Sequence, residues 1–156
     1  KNLSMASHDD ATHEHVTESA GFGMKIAEFP TTHEAAALSH QLGMKVLMGA
    51  PNIVRGGSHS GNIAASDLAG HGVLDILSSD YYPASLLQAV KKLSEQENGY
   101  DLPKAVATIS LLPARAANLN DRGEIRLGLR ADLVHVAQAG SQFVVRQVWR
   151  EGNRVF

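Results

Sequence analysis

Four short apolar runs, each handing over to a helical stretch and each ending in polar or charged residues, constrain this chain more than any other feature. They are Leu3–Ser7, Met24–Phe29, Lys45–Gly49 and Val73–Ser78. Runs of that length, rich in Val, Ile, Leu and Met and bounded by Gly or Pro, read as buried strands. Between them the spacing predicts helices over 12–22, 33–42 and 63–70, and a longer one follows over 84–97. Gly21 and Gly23 end the first helix. Pro30 stops the second strand, Thr31 or Thr32 caps the helix after it, and Gly43 closes that helix. Leu86, Leu87, Val90 and Leu93 share one face of the longest helix. Strands that alternate with helices imply βαβ units and a parallel sheet, because parallel strands need a crossover of about a dozen residues. Gly-Met-Lys leads into both the second and the third strand, a faint internal repeat.

The pattern changes after residue 100. Residues 102–110 and 113–119 read as helices, the second with Pro113 in its first turn. Strands follow over 131–136 and 142–150, and Gly152-Asn153 turns the chain into 154–156. Phe143, Val145 and Gln147 alternate imperfectly with Val144, Arg146 and Val148, as in a half-exposed antiparallel sheet. The chain is expected to divide near Asn120, into 1–119 and 120–156.

Composition excludes several function classes. With 44% hydrophobic residues in 156, a core is affordable. A formal charge of −2 gives no general attraction to nucleic acid or anionic membrane. An anionic substrate must then be held by local groups. No cysteine is present, so neither disulfides nor a thiolate metal site is available. No apolar run approaches the ~20 residues that span a bilayer. These features suit a cytoplasmic protein. Lys1 through Ala6 lacks a signal layout and an initiator Met, which suggests a chain cut from something longer.

The carboxyl ends of parallel strands converge on one rim, where such folds place their active sites. Here those ends carry His8-Asp9-Asp10, Glu28, Asn52 and Ser79-Asp80. Imidazole and carboxylate together suit a divalent metal, zinc first, with manganese, iron or nickel as other choices. Such a metal lowers the pKa of bound water. Each residue also has a plainer role: His8 satisfied by a carbonyl, Asp80 as a helix cap, Glu28 as a surface carboxylate. The second candidate is the stretch Arg55-Gly56-Gly57-Ser58-His59-Ser60-Gly61-Asn62. Its glycines let backbone N–H groups approach an anion, Arg55 can clamp a phosphate, and Ser58, His59 and Asn62 add donors. It lacks the Gly-Lys-Ser/Thr ending of a Walker loop and also fits a flexible connector. His13, His15, His33, His40 and His71 fall on helices or their ends and read as surface residues, and His135 lies in the tail strand, far from the chemistry. Tyr81 and Tyr82 read as packing at the strand rim, and Trp149 as tail core.

Together, Ala6-Ser7-His8-Asp9-Asp10-Ala11-Thr12, Ala27-Glu28-Phe29-Pro30-Thr31-Thr32, Met48-Gly49-Ala50-Pro51-Asn52, Val54–Asn62 and Leu77–Pro83 resemble the amidohydrolase superfamily. The tail motifs Asp121–Ile125, Gly128, Ala131–Val134 and Val148–Gly152 are similar to its small β domain. The resemblance covers nearly the whole chain. It implies an α/β fold: the C-terminal half of a (β/α)8 TIM-type barrel plus part of a small accessory β-sandwich. His8 would be the fifth-strand metal ligand. Asp80 would be the eighth-strand aspartate, binding metal and acting as general base. Glu28 stands where many members carry a sixth-strand histidine, so its ligand role is open. The resemblance further implies a homo-oligomeric hydrolase that cleaves a phosphoanhydride of a phosphorylated ribose in phosphonate catabolism. Its phosphates would meet Arg55, Ser58, His59 and Asn62. Deacylation or deamination of another small molecule, or a catalytically inert fragment, are the alternatives. No His-x-His pair of a first strand is present; His13-Glu14-His15 lies on a predicted helix after His8 and does not qualify.

Overall fold

The computed structural model describes residues 3–58, 61–95 and 99–156. Its first part alternates strand and helix: β1 (Ala6–His8), α1 (His13–Gly21), β2 (Ile26–Glu28), α2 (His33–Gln41), β3 (Lys45–Gly49), α3 (Ala50–Arg55), α4 (Ala65–Gly70), β4 (Ile76–Ser78) and α5 (Ser85–Glu95). The strands pair in chain order, β1-β2-β3-β4, and every pairing is parallel. This is an α/β fold with a parallel sheet. Among the described residues no helix is long and apolar enough to cross a membrane.

Side-chain caps start some of the helices. Thr12 accepts from the His15 N–H and Thr32 from the Ala35 N–H, satisfying donors that a first turn leaves open. Thr32, rather than Thr31, is therefore the cap. Asp101 caps α6 (Leu102–Ala107) through the Lys104 N–H. One reading from sequence is corrected here. Asn52 does not end a strand, and Arg55 does not stand in a flexible connector: Ala50–Arg55 is helical with Pro51 at its start. Proline stops a strand but is tolerated in a helix's first turn, where its missing N–H would have no partner.

Register sorts the sheet residues by face. Ser7, Ala27, Val46, Met48 and Leu77 lie on one side, and all are buried. Val46, Met48 and Leu77 join Ile53, Leu68, Val90, Leu93 and Tyr100 in the main core, while Ala27 packs with Val16, Ala35 and Met44. The opposite face carries Ala6, His8, Ile26, Glu28, Lys45, Leu47 and Ile76. Ala6 and His8 are exposed on it, and Ile26, Glu28, Lys45 and Leu47 are half-buried. Ile76, however, is buried, so this face is open toward β1 and closed at β4.

An unpaired strand edge invites association unless covered. At β4 the Leu77 N–H donates to the carbonyl of Thr108, at 3.0 Å. Thr108 is fully buried just after α6, so this turn seals part of that edge.

Helix α7 (Leu111–Ala116) leads to the tail: β5 (Leu133–Ala139), β6 (Gln142–Arg150) and β7 (Asn153–Arg154), an antiparallel sheet. Between His135↔Gln147 and Val136↔Val145 the register slips by one, leaving Arg146 as a bulge. The bulge is the physical reason for the imperfect alternation. The final turn is Glu151-Gly152, with φ of 52° and 78°, so Asn153 belongs to β7 instead of the turn. Phe143 packs against the main core and lies under the Lys91 ammonium at 5.6 Å. Gly123 holds the junction with α7. Its φ is +101°, and a Cβ there would come within 2.9 Å of the Ala114 Cβ and 3.0 Å of the Ser110 carbonyl.

Candidate functional site

Three of the four strands end in a backbone conformation that side chains other than glycine rarely adopt. Asp9, directly after β1, has φ of 59°; Phe29, directly after β2, 54°; Asp80, two residues after β4, 49°. Aspartate tolerates this region, but a bulky aromatic there carries a cost of about 1–3 kcal/mol. The Asp9 N–H donates to the Glu28 carbonyl at 3.0 Å and the Phe29 N–H to the Leu47 carbonyl at 2.9 Å. These equivalent bonds extend the parallel ladder by one residue and hold the two turns at the same level.

The turns frame a cavity of about 170 Å³. Asp9, Phe29, Pro30, Met48, Gly49 and Asp80 form its strand-end wall, and Asn52, Arg55, Ser58, Asn62 and Ile63 the other. Six of the sequence candidates, Asp9, Asn52, Arg55, Ser58, Asn62 and Asp80, therefore line one cavity. Arg55 is the last residue of α3, with its guanidinium 5.8 Å from the centre of the Tyr81 ring. Tyr81 is exposed and touches a charged group, where sequence suggested packing. The carbonyl of Asn52 accepts from Gly56 and Gly57, and its side-chain oxygen accepts from the Ala65 N–H at 3.0 Å. Asn52 so fastens both ends of the segment that carries Ser58 and Asn62. The Ile63 N–H, bonded to the Thr31 carbonyl at 3.1 Å, fixes it to the β2–α2 connection. His59 lies outside the described residues.

Gly49 is a site residue that sequence reasoning passed over. A Cβ built on it would sit 3.3 Å from the Asp80 Oδ2 and 3.7 Å from the Asp80 Cβ. The carboxylate occupies the space that a side chain at 49 would take. Its only signal in sequence is the position of Met48-Gly49-Ala50 at a strand end.

The run His8-Asp9-Asp10 splits in three directions. Asp9 faces the cavity. Asp10 is buried and turns toward α1, where the Ser19 hydroxyl donates to one carboxylate oxygen at 3.3 Å. His8 does not line the cavity; it stands beside it, with Nδ1 3.1 Å from the Asp9 carboxylate and its ring edge-on to Phe29 at 5.4 Å. Glu28 is the register partner of His8 on the same open face.

These residues fit a divalent metal in donor chemistry. An imidazole whose Nδ1 faces a carboxylate leaves Nε2 as the ligating atom, the arrangement usual for metal-bound histidine. Glu28 on the neighbouring strand adds an oxygen donor on the same face. The set is partial: among the described residues no three His, Asp or Glu side chains stand close enough together to hold a metal.

Other acidic groups are committed elsewhere. Asp75, buried before β4, accepts from the Val46 N–H and the Lys45 ammonium, both at 3.0 Å. Tyr100 donates to the Leu74 carbonyl at 2.6 Å; its burial, and then the charge of Asp75, push its hydroxyl up to about 12. A shallow depression beside Tyr100 includes Asp101 and Lys104, far along the chain from the strand ends, and the Asp101 carboxylate is occupied in capping α6.

The profile of the amidohydrolase family matches residues 4–156. The chain is 59% identical to alpha-D-ribose 1-methylphosphonate 5-triphosphate diphosphatase of Escherichia coli (strain K12), over all of this chain and 42% of that protein. It thus spans less than half of that relative. Among solved structures, an amidohydrolase from Thermotoga maritima MSB8 superposes with a TM-score of 0.75 at 20% identity, covering 100% of this chain and 44% of that one. The A. niger ochratoxinase gives 0.67 at 15% identity, covering 98% and 41%. Likenesses at such identity speak for the fold alone.

Proposed function

The chain belongs to the amidohydrolase family, and from that premise we propose that it is the C-terminal part of a metal-dependent enzyme releasing diphosphate from alpha-D-ribose 1-methylphosphonate 5-triphosphate. In this reading residues 1–119 are the last four strand–helix units of a (β/α)8 barrel with its trailing helices. Residues 120–156 are part of an accessory β-sandwich. The sequential parallel order of the four strands supports this assignment. So does the 44% coverage of the Thermotoga maritima structure.

The observation that carries the reading is the cavity joining Asp80 to Arg55. A cleavage of this kind needs a base for the attacking water and a cation for the phosphates. His8 and Asp80, with Glu28 as a further donor, would hold the metal, whose contribution is to acidify water and offset phosphate charge. Asp80 accepts the proton of the water that attacks phosphorus. The P–O bond to the leaving group then breaks and diphosphate departs. Arg55 pairs with the phosphate oxygens through its planar fork, while Ser58, Asn62 and His59 donate neutral hydrogen bonds. Phe29 and Met48 give the cavity an apolar wall, where these charges interact more strongly than in water.

At about 170 Å³ the cavity is well below the 300–1,000 Å³ that ligand sites usually enclose. This supports a site completed by the remainder of a longer protein. A cytoplasmic homo-oligomer acting on a small molecule, with no nucleic-acid or membrane partner, belongs to the same reading.

The test is diphosphate release by the full-length protein. Asp80→Asn should lower turnover by about 10²–10⁴-fold, the usual contribution of a positioned base, without changing the melting temperature. Full-length protein that hydrolyses small-molecule amides and leaves the ribose triphosphate intact would overturn the reading.

A further inference from the structure

Two of the histidines that read as ordinary surface residues meet outside the strand-end cavity. His33, the first residue of α2, and His71, which closes α4, have ring centroids 4.6 Å apart with their planes inclined at 66°. The His71 Nδ1 lies 2.7 Å from the Asp67 carbonyl. A carbonyl can only accept, so that nitrogen carries the proton and Nε2 presents its lone pair. We propose that His33 and His71 form a second, surface site for a borderline divalent cation of the zinc, nickel or copper class.

The geometry suits chelation as well as packing. Bonds of about 2.0–2.1 Å from zinc to two imidazoles in a tetrahedral centre put the ring centroids roughly 5 Å apart. The observed 4.6 Å lies close to that separation. The His71–Asp67 bond is the outer-shell contact that fixes tautomer and ring orientation in metal-bound histidines. Both rings are exposed, so the cation can enter from solvent and complete its shell with water. Position gives the site a consequence. It joins the first turn of α2 to the end of α4, and the residues leading into these two helices are already tied by the bond from the Ile63 N–H to the Thr31 carbonyl, with Asn62 and Ile63 lining the cavity. A bound cation braces that wall of the cavity from outside.

The test is zinc titration of the full-length protein, followed by calorimetry and by NMR of the imidazole nitrogens. The wild-type protein should take up one more zinc equivalent than His33→Ala or His71→Ala, and resonances of both rings should move together. Loss of an outer-shell contact typically weakens a metal site about 10–100-fold, and loss of either imidazole should cost at least as much. His8→Ala should retain this site, which separates it from any metal at the strand ends. Equal stoichiometry in wild type and both alanine variants would overturn the proposal. So would zinc moving only one ring, a result read on the wild-type protein and independent of how the variants fold. A drop in melting temperature with unchanged zinc uptake would reduce the ring pair to packing.

Discussion

The strands of the parallel sheet run three to five residues, whereas β5 and β6 of the tail run seven and nine. Yet the short strands are the ones locked in place. The buried hydrophobic residues lie between Val16 and Ala114, and no described residue beyond Ala114 is buried at all. The tail exposes Ile125, Leu127, Val134 and Phe156, and relies on tight turns, a long hairpin ladder and a network of Arg122, Arg130, Asp121, Asp132 and Glu151. The difference teaches where chemistry can be placed. A strand end fixes a catalytic group only if packing on the strand's flank prevents its withdrawal. The parallel region has that packing and carries every candidate site residue, while the tail reaches the main core through Phe143 and carries none.

Substitutions can test this contrast, beginning with the largest effect. Leu93→Ala should cost about 2–5 kcal/mol in chemical denaturation, since Leu93 is fully buried in the main core. A loss below 1 kcal/mol would show the packing contrast to be false. Gly123→Ala attacks the junction of the two regions. Backbone strain and the 2.9 Å approach to Ala114 should together cost about 2–4 kcal/mol, read by the same measurement. Raising pH separates the regions by a buried hydroxyl. Tyr100 keeps its proton in the folded state up to about 12, against 10 in the unfolded chain. Stability from this group is complete below pH 10 and is lost as pH rises toward 12, because the unfolded state ionises first. Tyr100→Phe should flatten that part of the denaturation profile. Arg130→Gln should have the smallest effect, at most about 1 kcal/mol and weaker in high salt, because its partners Asp132 and Glu151 are reached by solvent.

Much of this arrangement was legible in the sequence because it follows from local rules. Strand–helix alternation, a threonine cap at 31 or 32, and Val90 and Leu93 on the inner face of α5 depend on periodicity and capping chemistry. Helix α3 was not legible: Pro51 after an apolar run signals a stop, and only the structure shows it opening a helix. The candidate site divides in the same way. Arg55, Ser58 and Asn62 stand near one another in the chain, so their company in one cavity could be anticipated. That Gly49 makes room for the Asp80 carboxylate could not, since it joins residues from two strands. Nor could the three-way division of His8, Asp9 and Asp10, which depends on the left-handed turn at Asp9.

The left-handed turn at Phe29 also bears on attempts to harden the protein against heat. Glycine would adopt the φ of 54° without steric cost, and a search for stabilising substitutions would be drawn to this position. But the phenyl ring is part of the cavity wall and the edge contact of His8. Replacing it would trade a relaxed backbone for a loosened imidazole and a wetter pocket. On the proposed reading, durability and the candidate site pull in opposite directions at this rim, so selection for heat resistance alone would alter that end of the sheet first.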